Sequence, residues 1–507
     1  MTTTSPSVFS PALAARLRLS SLGNLASPWR VSWPLIVGMS LFVLLLNATG
    51  LPLLADPDSR WHVAIGKWIL ENGAVPHVDS HSHTFTGQPW IAKEWLSQIL
   101  LALAERGGGW GAVAALSAAS LAATFALMLR LLLRDLRPLP ALLFTVAAIV
   151  LSGPHFLARP HVFAFPFLVL WVAGLVRASE QGRAPKPLLL LAMLLWANLH
   201  GGFTLGLMLC GFFALEAVVT AGDATRRRFL FVEWLKFGVA AVLVACITPY
   251  GPESMLVTLR IFGLGEALSL IKEWQSPDFQ NLPMQELMLL AAIFGALACG
   301  LKLPVLRLLL VLGFLHLFLK HARNIELMAV LTPLVLAPIL ARQWPSLRPD
   351  SSAFLARPAG RSSTTLALSF AALFAACMIK LANIQPPTDT TPVAALEFAQ
   401  REKLQGRVFN DYDFGGFLIH AGVPTFIDGR GELFGGDFIK RYADATRLRG
   451  DDPLGLMLDR HGIEWTLLHN DQPANKLLEL LPGWHRAYRD ETATIFVRTA
   501  PNQVSGR

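Results

Sequence analysis

Long apolar runs separated by short charged loops constrain this chain more than any other feature. Several runs of roughly 17 to 22 residues are each long enough to cross a bilayer core of about 30 Å. Hydrophobic residues make up 53% of the 507 residues and charged residues only 15%. The pattern predicts a polytopic α-helical membrane protein. About eleven transmembrane helices are expected, near residues 34–54, 110–133, 138–152, 161–177, 187–199, 203–221, 234–249, 285–301, 304–320, 324–341 and 364–382.

Basic residues in alternate short loops predict how these helices are oriented. Lys and Arg accumulate in cytoplasmic loops, so we expect the N-terminus inside and the C-terminus outside. A single kinked helix through His200-Gly201-Gly202 would invert everything after it and put two basic loops outside, so charge favours a break there. The expected inner loops hold Arg134 and Arg137; Arg177, Arg183 and Lys186; Arg226 to Arg228; Lys302; and Arg342, Arg348, Arg357 and Arg361.

This topology divides the chain into three regions. Residues 1–33 are expected to form a cytoplasmic tail, residues 34–384 the membrane domain, and residues 385–507 an extracytoplasmic domain. The tail 385–507 holds 14 Lys and Arg against 17 Asp and Glu, whereas the whole chain carries +8. The positive charge therefore belongs to the membrane region, where membrane lipids are its natural partners, and it indicates no nucleic-acid partner.

Histidines before residue 385 gather on the predicted outer side. Eight of the nine lie in outer loops or at outer helix ends, and the inner loops have none. Ionisable groups at membrane depth usually mark a functional cavity. Anchoring at the interface is the alternative for any single histidine, but it explains the shared bias less well. The eight are His62, His77, His81, His83, His155, His161, His200 and His321.

The first outer loop, residues 55–109, is too long for a simple connector. Two of its segments place apolar residues at helical spacing opposite charged ones, as in helices that lie along a membrane interface. Glycines are expected to end both helices, and Pro76 favours an extended path between them. The predicted elements are a helix over Asp58 to Asn72, an extended stretch over Val78 to Phe85, and a second helix over Ile91 to Glu105.

Motifs in this loop and in the tail resemble a known family. They are Asp58 to His62, Gly66, Pro76, Asp79, Ser82, Pro89-Trp90 and Glu94 to Leu96 in the loop, and Phe409 to Gly416 and Ile427 to Arg430 in the tail. With Asp-x-Asp straight after the first span, this arrangement is similar to the GT-C superfamily of membrane glycosyltransferases, and to a large bacterial group within it. The resemblance implies a GT-C-like fold in the bacterial inner membrane. It also implies sugar transfer from a polyprenyl-phosphate donor to an extracytoplasmic glycan or lipid acceptor.

Such a transfer needs a general base, and a carboxylate of the first loop is suitable. Asp58 fits the narrower Asp-x-x-Trp-His pattern, whereas Asp56 resembles the position that many GT-C enzymes use. Pro57 restricts Asp56 to extended geometry, which would direct the two carboxylates differently. Capping the following helix is the alternative role of Asp58, and it does not exclude catalysis.

The departing lipid phosphate needs cations or hydrogen-bond donors. Arg159, in the outer loop 153–161, is the first candidate because arginine forms paired bonds to phosphate, and snorkelling to lipid headgroups is its alternative. His200 lies where a helix break lets the backbone approach a ligand, and a packed interfacial histidine is its alternative. The other candidates for binding substrate or phosphate are His155, His161, His321, Arg323, His62 and Glu94.

The segment Asp79-Ser-His81-Ser-His83 has ligand types at alternate positions. An extended strand would bring Asp79, His81 and His83 to one face, as a metal site requires, although such clusters are also common in solvated loops. A divalent metal ion is therefore the one cofactor for which the sequence offers a candidate site. The four cysteines fall inside apolar spans and imply neither a disulfide framework nor a metal site.

The tail alternates strand-like and helical segments, which predicts a small α/β domain. Its most polar loop, Asp428-Gly-Arg430-Gly-Glu432, is either a cap that binds an acceptor or a turn held by an Asp to Arg pair. The predicted elements are strands over Arg407 to Tyr412, Thr425 to Ile427, Glu464 to Leu468 and Thr492 to Val497, and helices over Phe438 to Leu448 and Leu454 to His461.

Two other functions remain open from the sequence. A transporter or flippase of lipid-linked glycans would show repeated halves and ionisable groups around the midplane. No repeat is seen, and the spans are nearly free of charge at their centres. A noncatalytic GT-C relative that only binds a glycan would carry the same motifs.

Overall fold

The computed structural model describes residues 32–47, 52–349, 361–381, 384–387, 391–450 and 453–499, so the predicted cytoplasmic tail lies almost wholly outside the described residues. A helix lies over each predicted apolar span. Up to residue 381 the helices are α1 (Trp33–Asn47), α2 (Asp58–Asn72), α3 (Trp95–Leu132), α4 (Pro138–Ser152), α5 (Pro160–Glu180), α6 (Leu190–Leu199), α7 (Phe203–Val219), α8 (Ala224–Ala245), α9 (Glu253–Arg260), α10 (Pro283–Ala298), α11 (Val305–Lys320), α12 (Thr332–Gln343) and α13 (Arg361–Leu381).

Length and apolar composition allow four helical segments in the described part of the chain to cross a membrane. They are Trp95–Leu132, Pro138–His155, Pro160–Glu180 and Ala322–Gln343. Five shorter apolar helices accompany them: Trp33–Asn47, Pro187–Leu199, Phe203–Val219, Pro283–Ala298 and Leu368–Leu381. The helical membrane-protein class therefore agrees with the prediction, whereas the count of eleven spans stays a prediction.

The two interfacial helices of the first loop turn out differently. α2 has the predicted bounds and ends at Gly73, whose φ of 62° is left-handed and whose N–H donates to the Ile69 carbonyl. The second helix does not stand alone, because α3 begins at Trp95 and continues to Leu132. The expected glycine break is present only as a kink at Gly108 and Gly109.

The prediction of an extended stretch over residues 78–85 is wrong. Only isolated bridges occur there, between Val78 and Pro89 and between Ser82 and Thr425. The Asp79 carboxylate accepts hydrogen bonds from the backbone N–H groups of His81 and Ser82, at 2.9 and 3.2 Å. These local bonds turn the chain back on itself, as aspartate commonly does in turns.

The tail is a small α/β domain, as the alternating pattern predicted. A four-stranded sheet has the order β1-β2-β4-β3, with β1 and β2 parallel and the other pairs antiparallel. The predicted strand over 425–427 does not join this sheet, and β3 was not predicted. The elements are β1 (Arg407–Asn410), β2 (Ile463–His469), β3 (Trp484–Arg489) and β4 (Ala493–Arg498), with α14 (Val393–Arg401), α15 (Gly415–His420), α16 (Gly431–Phe434), α17 (Gly436–Thr446), α18 (Leu454–Arg460) and α19 (Ala474–Leu478).

The tail and the first loop share one hydrophobic core. Trp61 and Ile65 of α2 and Trp90 of the loop are buried in the same cluster as Phe426 and Phe438 of the tail. A separate, larger core lies among the helices of the bundle. Apolar burial is the main favourable term in folding, and the first loop and the tail bury their apolar side chains against each other. The two segments therefore fold as one unit at one end of the bundle.

Candidate active site

Asp56 and Asp58 lie at the junction between the first apolar helix and α2. The Asp56 carboxylate accepts the backbone N–H of Asp58 at 2.7 Å, while Pro57, at the helix N-cap, makes no side-chain bond. Asp58 is already the first residue of α2. The alternative that Asp58 caps this helix is therefore wrong, because the Asp56 side chain binds the free N–H.

Arg159 contacts both aspartates. Its Nε meets Asp56, its Nη2 meets Asp58, and its Nη1 meets Glu273. The residue precedes the first turn of α5 and has extended backbone. One guanidinium thus holds three carboxylates, two from the first loop and one from the connection between α9 and α10.

Backbone pairing explains why Arg159 reaches the aspartates. The N–H of Ala158 donates to the Leu53 carbonyl at 2.7 Å, and the Ser59 hydroxyl donates to the Ala158 carbonyl at 2.9 Å. These two bonds tie the loop before α5 to both sides of the Asp56-Pro-Asp58 segment. The carboxylates and the guanidinium are therefore fixed by main chain rather than by side-chain reach alone.

Arg323 and His321, two further candidates from the sequence, lie beside Glu273 and so join the cluster around Arg159. Arg323 donates from Nη1 to Glu273 Oε1 at 2.9 Å, and its guanidinium stacks 4.4 Å from the Trp274 ring centre. His321 Nδ1 lies 2.6 Å from the Trp274 carbonyl oxygen. Two arginines, Arg159 and Arg323, therefore share Glu273.

The other predicted histidines and Glu94 form a row beside this cluster. Glu94 lies 3.8 Å from His62 and 3.5 Å from His200. The His200 ring is 6.2 Å from that of His161, which stacks on His155 at 4.9 Å. Glu326 ends the row, with Oε1 at 2.5 Å from His155 Nδ1.

Burial sets the protonation of the groups that lie outside the membrane-spanning helices. It raises the pKa of Asp56 to about 7 against the opposing effect of Arg159, and it raises the pKa of Asp58 as well. Burial alone would raise the pKa of Glu273, but Arg159 and Arg323 hold it at about 2. The aspartate pair is therefore the part of this cluster that takes up protons near neutral pH.

The same burial makes two histidines of the row neutral. It lowers the pKa of His200 to about 3 and that of His62 well below its usual value, with nearby cations adding to the effect. Burial also raises the pKa of Glu94. Neutral imidazoles donate one hydrogen bond and accept another, so His62 and His200 suit hydroxyl groups better than they suit a phosphate.

The predicted metal set Asp79, His81 and His83 does not assemble. Asp79 instead pairs with Arg430 at 2.6 Å, and His83 Nε2 lies 2.9 Å from the Val408 carbonyl oxygen. Asp79 is therefore committed to the tail, and the metal-site interpretation of these three residues is wrong. The physical reason is long-range, because the partner of Asp79 lies in the other domain.

Two other groups have ligand atoms close enough for a metal ion. Each set has its atoms within 4.8 Å of one another. In the row, His155 Nε2 and His161 Nε2 are buried without a hydrogen-bond partner among the described residues. The two sets are His155, His161 and Glu326, and Asp411, Asp413 and His469.

The tail motifs press directly on the aspartate pair. A Cβ added to Gly429 would lie 2.0 Å from the Asp58 carboxylate, and one added to Gly416 would lie 2.3 Å from the Pro57 carbonyl oxygen. Neither position has room for any side chain. The glycines of Phe409 to Gly416 and of Ile427 to Arg430 thus let the tail backbone form one wall beside Asp58.

A fully buried arginine holds that wall in place. Arg430 binds Asp428 from Nε and Nη2, both at 2.8 Å, binds Asp79 from Nη1, and stacks on Trp90. The interpretation of the 428–432 loop as a turn held by an Asp to Arg pair is confirmed. Glu432 adds a second link to the first loop, an ion pair with Lys93 at 2.6 Å.

Sequence reasoning missed Glu273, Glu326 and Lys93 as parts of this region. Glu273 lies in a short helical turn after a run with no motif, and its only signal was a charged residue in an expected outer loop. Glu326 was placed inside a predicted span. Lys93 was assigned to the surface of a helix that in fact begins two residues later.

Two kinds of solved structure are similar to this chain. The oligosaccharyltransferase AglB from Archaeoglobus fulgidus, in complex with an inhibitory peptide and a dolichol-phosphate, is 10% identical over 86% of this chain and 69% of that one, with a TM-score of 0.48. ArnT from Cupriavidus metallidurans bound to undecaprenyl phosphate is 13% identical over 97% of this chain and 99% of that one, with a TM-score of 0.48.

Both proteins are GT-C membrane glycosyltransferases, the superfamily that the sequence motifs resemble. At this level of identity and structural similarity, no residue role passes from either protein to this chain. No family model and no curated protein sequence matches it.

Proposed function

We propose that this chain is a GT-C-type glycosyltransferase that moves a sugar from a polyprenyl-phosphate donor to a glycan or lipid acceptor at the outer membrane face. One observation carries the proposal. Asp56 and Asp58, whose pKa values are raised, contact the guanidinium of Arg159 at the end of the helical bundle that the tail covers. Glycosyl transfer requires both a base and a group that stabilises the departing phosphate.

Asp58 is proposed as the base. Its side chain is 19% exposed, whereas that of Asp56 is 1% exposed, so an acceptor hydroxyl can reach only Asp58. The hydroxyl oxygen forms the new bond to the anomeric carbon as the carbon–oxygen bond to the phosphate breaks, and the hydroxyl proton passes to Asp58. Asp56 orients Asp58 through its bond to the Asp58 backbone.

Arg159 and Arg323 are proposed to receive the negative charge of the polyprenyl phosphate. A guanidinium has five N–H donors, and carboxylates contact three of the nitrogens of Arg159, so two donors remain for phosphate oxygens. Arg323 donates a hydrogen bond to the other carboxylate oxygen of Glu273, the one that Arg159 does not contact. A phosphate placed between the two arginines would be held close to the base.

The two neutral histidines His62 and His200, with Glu94 between them, are proposed to bind the hydroxyl groups of the sugar. Glu94 lies within 4.0 Å of both His62 and His200, and burial lowers the pKa of both imidazoles so that they are uncharged at neutral pH. The sequence pattern left these residues as candidates for binding either substrate or phosphate, and this proposal assigns them to the substrate. Uncharged donors and acceptors in fixed positions provide specificity rather than charge neutralisation.

Transfer assays on the purified protein test this function. Polyprenyl-phosphate hexoses and pentoses would be supplied with membrane extracts, and labelled product compared among variants. We expect Asp58→Asn to lower the rate by about 10²- to 10⁴-fold, the usual contribution of a general base. The matched control is Asp278→Asn, an exposed aspartate that makes only local bonds in the loop before α10.

Two results would contradict the proposal. Transfer unaffected by both Asp58→Asn and Asp56→Asn would eliminate the carboxylate pair as the base. Retention of a glycan ligand by the wild-type protein without transfer from any donor would identify the noncatalytic alternative.

A further inference from the structure

A groove with a volume of about 1720 Å³ opens at the end of the bundle away from the aspartate pair. Helix α5 joins the two places, because Arg159 directly precedes it and Arg177 lies in its last turn. At 1.5 Å per residue, the 21 residues of α5 put about 30 Å between its ends. The groove is thus separate from the candidate active site.

One long side of the groove is apolar. It follows α5 from Phe167 to Arg177, a rise of about 15 Å, and faces α6 and α12. Leu191 and Leu195 of α6 line it and are 54% and 41% exposed. Within a bilayer this side would lie against acyl chains rather than water.

The mouth of the groove is basic. Six Lys and Arg side chains line it, against Asp135 and Glu180. Glu180 is already paired with Arg342, and Arg348 donates to a backbone carbonyl. The six basic residues are Arg134, Arg177, Arg183, Lys186, Arg342 and Arg348.

Arg134 and Arg177 form no ion pair among the described residues, where no carboxylate oxygen lies within 4.0 Å of either guanidinium. Asp135 lines the same mouth; burial raises its pKa, and the charges of Arg177 and Arg134 oppose that rise. Burial and the neighbouring charges of Arg177 and Arg130 lower the pKa of Arg134. The charges of Arg134 and Arg177 influence each other, and six basic side chains against two carboxylates leave the mouth with a net positive charge, which favours an anion there.

We propose that this groove binds an anionic phospholipid, with the headgroup phosphate between Arg134 and Arg177 and an acyl chain along α5 and α6. Free phosphate would occupy only the basic mouth of the groove. The long apolar side favours a lipid, because an acyl chain can lie along it. Basic pockets between helices at a membrane face bind such headgroups. The alternative is that the basic residues only orient the helices in the membrane. The loop Arg226 to Arg228 supplies such charge without lining the groove, so orientation does not require a groove.

Native mass spectrometry of the full-length protein tests the site. Protein in detergent would be equilibrated with equal amounts of phosphatidylglycerol and phosphatidylcholine, and the lipid retained on each protein ion counted. The test variant is Arg134→Gln/Arg177→Gln, and Arg227→Gln/Arg228→Gln is the control with the same charge change outside the groove. We expect the test variant to retain about thirtyfold less phosphatidylglycerol, taking about fivefold for each basic residue near an anionic surface.

A second variant keeps every charge and fills the apolar side. Ala173 lines the groove on α5, and Ala173→Trp should also lower retention of phosphatidylglycerol. Equal retention of both lipids by the wild type, or equal losses in the test and control pairs, would overturn the proposal. The mouth would be shown to bind free phosphate instead if millimolar inorganic phosphate displaced the lipid from the wild type and Ala173→Trp retained as much phosphatidylglycerol as the wild type.

Discussion

Two clusters of arginine and carboxylate lie at opposite ends of the helical bundle. The outer cluster joins Arg159 and Arg323 to Asp56, Asp58 and Glu273, all on loops or helix ends. The inner cluster lies on helices α5, α7, α11 and α12. Its members are Arg307, Arg342, Glu180 and Glu216.

The inner cluster is balanced and closed. Arg307 is 2% exposed and binds Glu216 from two nitrogens, while its third nitrogen donates to the Val335 carbonyl at 2.8 Å. Ser179 donates to the same Glu216 at 2.7 Å. The outer cluster has one more carboxylate than it has arginines, and its aspartates have raised pKa values. The difference indicates that the inner cluster joins helices, whereas the outer one is prepared to exchange a proton.

The largest expected effect is on stability, at the inner cluster. Arg307→Gln should cost about 3–5 kcal/mol of unfolding free energy, because it leaves Glu216 buried without a counter-charge. Denaturant unfolding in detergent measures the loss. Arg307→Leu combined with Glu216→Leu should recover most of it, since apolar replacement of a buried pair is often neutral. Equal stability of Arg307→Gln and wild type would remove the distinction between the clusters.

At the outer cluster the corresponding change should affect catalysis. Arg159→Gln is expected to lower the rate of sugar transfer by about 10²- to 10³-fold, as losing one preorganised donor does in other enzymes. The measurement is the single-turnover rate with a polyprenyl-phosphate sugar. Full activity in this variant would mean that another group stabilises the phosphate, Arg323 being the first to test.

The pH dependence sharpens the contrast further. Asp58 must be ionised to act as the base, and burial raises its pKa, so the transfer rate should rise with pH above the usual titration range of an aspartate. The negative charge of Glu273 raises the pKa of both aspartates. Glu273→Gln should therefore move the acid limb to lower pH, by about one unit. Glu266→Gln, in an exposed pair with Lys440, is the control and should leave the limb in place.

The smallest effect belongs to the exposed edge of the inner cluster. Arg342 pairs with Glu180, but its side chain is 55% exposed. Because water screens such a pair, Arg342→Gln should change the unfolding free energy by less than about 1 kcal/mol. A loss as large as that of Arg307→Gln would show that the whole network, rather than its buried part, holds the helices.

Local patterns predicted the parts of this fold that local forces determine. α2 was predicted with the observed bounds because its apolar spacing and Gly73 act within a few residues. Loop charge predicts an outer position for Arg159, which stays a prediction, but its contact with Asp58 depends on backbone pairing between Ala158 and Leu53, which no pattern shows. A metal strand was predicted at Asp79 because the sequence does not reveal its distant partner.

The inner cluster was missed for a different reason. The spans were predicted to be nearly free of charge at their centres, and Arg307 and Glu216 each look isolated within an apolar run. Only the tertiary structure brings them together, where the long Arg307 side chain of α11 reaches Glu216 and Phe213 of α7. A lone charge in a span is thus a reason to search the other spans for its partner.

The pair between Asp79 and Arg430 has a consequence for how the protein is made. The two residues are 351 positions apart, and Arg430 is buried against the first loop. At about 5–20 residues per second of synthesis, Asp79 would wait on the order of tens of seconds for its partner. The wall beside Asp58 would then be completed only after the tail has been synthesised and folded. A nascent chain already inserted in the membrane would stay inactive until that last step.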